Sequence, residues 1–151
     1  MEIILSIKKE DVMREVAVTT AYTGGKMDKD ENALDRISTV DEDESHLERF
    51  WDESRADLSQ ELLELVTFEG MRNETDYEAR LNVSKAFEDA LLPSMNKSLY
   101  SFFVHNICAK WYIYTNKEEA GDYADKAATL LDDIHRKAVH KKRPTRPTYD
   151  D

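Results

Sequence analysis

One cysteine, three prolines and four glycines are all that the 151 residues hold of the types that staple, kink or tightly turn a backbone. The single Cys108 excludes an internal disulfide, which sets aside the disulfide-framework proteins and makes an intracellular setting the expectation. So few turn formers argue against an all-β sandwich, whose many short strands each need a turn. No apolar run approaches the roughly 20 residues that cross a bilayer. The opening MEIILSIKKEDV lacks the basic region and the longer apolar core of a secretory signal. Positive charge is scarce as well, with 21 basic against 32 acidic side chains and a net charge of −11. An acidic surface repels nucleic acid, so the body of the protein is a poor candidate for DNA binding. The length suits one domain with one core.

The charge that is present is segregated. Residues 1–135 carry −15 and residues 136–151 carry +4. Acid is densest in DKDENALDRISTVDEDESHLE, residues 28–48, and the basic surplus lies in the closing RKAVHKKRPTRPTYDD.

Periodicity supplies the elements. EIILSI (2–7) is short and β-branched, a strand or extended arm. Val12, Val16 and Thr20 recur at steps of four, which predicts a helix over 8–22 ended by the pair Gly24-Gly25. Residues 26–42 have no period and are expected to form an acidic loop. Leu47, Phe50, Trp51, Ser54, Leu58, Leu62 and Leu65 predict an amphipathic helix of more than twenty residues, stopped at Gly70. Tyr77, Ala79, Leu81 and Val83 alternate with polar residues, a half-buried strand that can pair with 2–7. A short helix is expected from Ser84, broken by Pro93. Residues 94–115 form an apolar helix expected to be the most buried, and Asn116 with Glu119 starts a last helix as a capping box. The short connection makes these two an antiparallel helical hairpin. The expected fold is mainly α: a small helical bundle with a C-terminal hairpin and a minor β element. It forms a single domain over 1–140, followed by a basic, proline-containing arm over 141–151.

Chemistry is sought and not found in the sequence. His105 and Cys108 lie three apart on one helix, and two ligands do not make a metal site. TTAYTGGKM ends like a phosphate loop but lacks the earlier glycine, and Met27 stands where a hydroxyl would hold magnesium. Asp41, Asp43 and Ser45 begin like a calcium loop, yet His46 occupies the glycine position and Asp52 falls within a helix. No nucleophile, base and orienting group can be assembled. The expectation is a non-enzymatic protein without cofactor, metal or small-molecule substrate. Aromatic residues on every face of the 94–115 helix mean either a fully central helix or a second face buried against a partner, and a partner is the preferred reading for Tyr112 and Tyr114, because a three-helix domain does not easily surround one helix.

The tail admits three readings. Arg136, Lys137 and His140 can complement the negative end of the last helix, with a disordered remainder. The six basic side chains can make a weak DNA contact. Alternatively RPTRPTY is an arm held extended by Pro144 and Pro147, in which Arg143 and Arg146 pair with carboxylates and Tyr149 anchors. A basic arm on one copy and an acidic face on the next make a heterologous contact, which closes into a ring or runs on as a filament.

The run FFVHNICAKWYIYTNKEEAGDYADKAATLLDDIHRKAVHKKRPTRPTY has an aromatic, Trp-containing helix, a short Asn/Lys turn, an alanine-bearing helix and an Arg/Pro tail. Across residues 84–149 this layout resembles the head–tail connector, or head-completion, proteins of tailed phages and prophages of Bacteroides-type bacteria. The resemblance implies a structural subunit of a homo-oligomeric ring that contacts portal and tail proteins, in the bacterial cytoplasm during assembly and then in the virion. It implies Lys141, Lys142, Arg143, Arg146 and Tyr149 as the gripping arm, and Asp41, Glu42, Asp43 and Glu44 as its docking face. The other reading is an acidic intracellular adaptor or DNA mimic that occupies a basic site on another protein.

Overall fold

The computed structural model describes residues 1–25 and 32–145. Glu2–Lys8 is a strand, β1, whose alternation places Ile3, Leu5 and Ile7 inward. Helix α1, Lys9–Gly25, follows without a break and turns Val12, Val16 and Thr20 to the core. Residues 33–37 are not loop: Ala33–Ile37 forms one helical segment, α2, with both end residues fully buried. Two small apolar residues four apart carry too little period to stand out among the flanking charges. A 3-10 turn, Asp41–Asp43, leads into α3, Glu44–Glu61.

Helix α3 buries Phe50, Trp51, Ser54 and Leu58 and ends sooner than its periodicity predicts. The stretch expected to prolong it forms a strand instead, β2, Val66–Met71, with Gly70 inside it rather than at a helix stop. β2 pairs with β3, Asp76–Asn82, through a hairpin in which Asn73 Oδ1 accepts the N–H groups of Thr75 and Asp76, each at 2.8 Å. β3 is central in the order β1–β3–β2 and both pairings are antiparallel. The expected pairing of the first strand with 77–83 is present, with Ile3 opposite Leu81 and Leu5 opposite Ala79.

Pro93 breaks nothing. A 3-10 turn at Asp89–Leu91 enters α4, Leu92–Thr115, and Pro93 sits in its first turn, where the missing N–H has no helical partner to lose. α5, Lys117–Ala138, returns antiparallel after the single residue Asn116. Asn116 occupies the cap position, but its side chain makes no capping bond; the backbone N–H of Glu119 reaches the Asn116 carbonyl at 3.2 Å. Among the described residues, five helices and a three-stranded sheet make the fold mainly α, closed by the helical hairpin. Helix α4 is its axis, with Met95, Leu99, Phe103, Ile107 and Cys108 fully buried. Trp51, Tyr77 and Phe103 meet at the centre with ring centroids 4.5–5.6 Å apart.

Candidate functional site

The basic end is built at the start of α4. Lys137, in the last turn of α5, bonds Ser94 and pairs with Asp133 at 2.8 Å. The hydrogen bond that Asp133 accepts from Lys137, with a smaller one from Ser98, holds the Asp133 carboxyl below its usual range against the opposing effect of burial. Beyond α5 the chain turns back onto the segment before α4. Lys141 bridges Phe87, and the Lys142 N–H donates to the Ala86 carbonyl at 2.7 Å. Phe87 itself is buried, so the root of the arm is fastened to the body. The side chains of Lys141, Lys142 and Arg143 are exposed. Arg146 and Tyr149 lie outside the described residues, as does the side chain of Asp41.

The acidic end is built where α4 finishes. Trp111 Nε1 donates to the Ile37 carbonyl at 2.6 Å, and Arg36 Nε donates to the Thr115 carbonyl at 2.9 Å. These bonds hold α2 against the end of α4. Glu42 and Glu44 are exposed. Asp43 is engaged locally, its Oδ2 accepting the Val40 N–H at 2.9 Å. Tyr114 is 71% exposed and stacks on Phe50, with centroids 6.4 Å apart and Arg49 on the same ring at 5.1 Å. The expectation for Tyr112 does not hold: its ring is fully buried and its hydroxyl bonds Thr23 Oγ1 at 2.9 Å. Desolvation raises that phenol's pKa. The sheet and four other helices surround α4 more completely than a three-helix domain can.

Between the two ends, α1 and α3 leave an open groove of about 470 Å³. Met13, Ala17, Val40 and Leu47 are its apolar lining, and Glu10, Glu44 and Glu48 its acids. Glu48 is neutralised by Lys9 at 2.6 Å, and the Arg14 guanidinium faces Asp11 at 3.3 Å. Glu10 and Glu44 take part in no ion pair among the described residues. Sequence reasoning located Glu44 but not Glu10, Met13 or Leu47. Those three are ordinary amphipathic-helix residues until α1 and α3 are set side by side.

Groups with reactive potential are committed to packing. Burial pushes the Cys108 thiol up to about 12. His105 Nδ1 lies 2.7 Å from the Ser101 carbonyl, and its ring packs on Tyr123. Tyr77 donates to Glu69 at 2.9 Å while Arg55 forks onto the same carboxylate at 3.0 and 3.2 Å; burial and the Glu69 charge raise the Tyr77 pKa. Among the described residues, no three His, Cys, Asp or Glu side chains converge as metal ligands, and no helix is long and apolar enough to cross a membrane. No protein family, curated protein or solved structure matches the chain.

Proposed function

We propose that the protein is a non-enzymatic assembly subunit that joins head to tail into a ring of the phage head–tail connector kind, its basic arm gripping the acidic end of the next copy. The observation that carries this reading is the position of the two charged ends along α4. The arm is rooted beside Ala86 and Phe87, ahead of Leu92, and Asp43, which Glu42 and Glu44 flank in the chain, lines a cavity with Trp111, Tyr114 and Thr115. At 1.5 Å per helical residue those two places are about 30 Å apart along α4. Arg146 is four residues beyond the Lys142 root, so its backbone reaches at most about 14 Å. Neither Arg143 nor Arg146 can satisfy itself on its own acidic end. A second copy can supply that end, and because the two patches differ, the contact is heterologous and propagates. In a phage setting the ring would meet portal and tail proteins.

Sedimentation of the full chain across a concentration series tests this. Discrete oligomers are expected, and removal of residues 143–151, which spares the Lys141 and Lys142 root, is expected to return the protein to a monomer. A chain that stays monomeric at high concentration, with and without portal protein, sinks the ring. It would leave the acidic adaptor or DNA mimic, which the −15 over residues 1–135 favours. Loss of DNA retention on the same truncation would assign the arm to nucleic acid instead.

A further inference from the structure

Resting on that reading, we infer that the groove between α1 and α3 is the seat of the arm, receiving residues 143–149 from a second copy. The occupant is argued from the match between groove and arm. RPTRPTY repeats with a period of three, and a polyproline II segment has three residues per turn at about 3.1 Å each. In that conformation Arg143, Arg146 and Tyr149 fall along one edge, with the arginines about 9 Å apart. Pro144 and Pro147 share a second edge.

The groove presents the complement. It is lined by two carboxylates that take part in no ion pair among the described residues, Glu10 from α1 and Glu44 from α3, together with the apolar side chains of Met13, Ala17 and Leu47. The proposed contact pairs the arm's arginines with these carboxylates and sets its prolines against the apolar side chains. Lys9 offsets Glu48 and Asp11 partly offsets Arg14, a cation that also lines the groove, so Glu10 and Glu44 supply the net negative charge that faces the arm. A preformed extended segment loses little conformational freedom on docking, which favours proline in such an arm. The occupant is a second copy because Glu44 follows Asp43, which lies against Trp111–Thr115 about 30 Å along α4 from the root of its own arm, beyond the reach of Arg146.

Charge exchange between full-length chains tests the seat. Glu10→Arg with Glu44→Arg in one chain, and Arg143→Glu with Arg146→Glu in another, should each abolish self-association. Mixing the two should restore it, because every groove then faces an arm of opposite sign. The milder Glu10→Gln with Glu44→Gln should weaken association about tenfold, the combined effect of two partly screened pairs. Glu10, Glu44 and Arg143 are exposed, and far-UV circular dichroism verifies that each variant folds. If the arm truncation dissociates the oligomer but the Glu10 and Glu44 variants do not, the groove is refuted as the seat while the ring stands. If the wild-type chain is monomeric, the ring itself fails. A concentration-independent contact between the arm and its own groove would overturn the second-copy assignment.

Discussion

Trp51 and Trp111 are both buried, yet their indole N–H groups differ. Trp111 Nε1 donates to the Ile37 carbonyl at 2.6 Å, whereas Trp51 Nε1 has no hydrogen-bond partner among the described residues. An unpaired buried donor carries a desolvation penalty of about 1–3 kcal/mol. Trp51→Phe removes that penalty while giving up some packing, so its net cost is expected within about 1 kcal/mol. Trp111→Phe instead orphans a carbonyl and loosens α2, and should cost about 2 kcal/mol more. Urea midpoints at constant slope measure the difference. Cys108 gives a second reading of the same core. A thiol pushed up to about 12 holds roughly one part in ten thousand as thiolate at pH 8. It should therefore resist alkylation until the chain unfolds, and reaction with a thiol reagent across a urea series should trace the unfolding curve.

At the scale of elements, the long helices and the first and third strands were legible because each repeats its pattern over several turns or pleats. The failures have local causes. Leu62 and Leu65 continue the α3 period, and Val66, Phe68 and Gly70 look like its fraying end. Pairing with β3 makes 66–71 a strand, and that partner is ten residues further on. Ala33 and Ile37 look like loop until the close approach of α1 and α2 is known. That approach depends on Gly24: a Cβ there would lie 2.8 Å from Leu34 Cα and 3.2 Å from the Ala33 oxygen, both backbone atoms. Gly24→Ala should thus destabilise by about 1–3 kcal/mol through forced displacement of α2. Gly121 supplies the control, since a Cβ meets nothing within 4 Å in α5. Gly121→Ala should stabilise by about 0.5–1 kcal/mol, read from the shift in Tm.

At the scale of the whole molecule, the distribution of charge decides how copies meet. Attraction between exposed basic and acidic groups weakens as salt shortens the Debye length, from about 10 Å at 0.1 M to about 3 Å at 1 M. The proposed oligomer should accordingly dissociate between 0.05 M and roughly 0.5 M salt, followed by sedimentation. Insensitivity to salt would point to an apolar interface, for which the exposed Tyr114 and Ile113 at the end of α4 offer one surface. The arm residues Lys141, Lys142 and Arg143 could be picked out from charge alone. Glu10 could not, because nothing in an α1 first turn marks an acid as belonging to a groove.

The sequence by itself determined the presence of the long helices, the pairing of the first strand with 77–83, the helical hairpin and the opposition of a basic end to an acidic body, since each rests on spacing or composition within one stretch of chain. Only the tertiary structure decided that Tyr112 is core, that 66–71 is a strand, and that Glu10, Met13, Glu44 and Leu47 share one groove. Those outcomes depend on which surfaces other segments cover. A side chain's burial and its neighbours across space are set by packing between elements distant in the chain, and local periodicity carries no record of that packing.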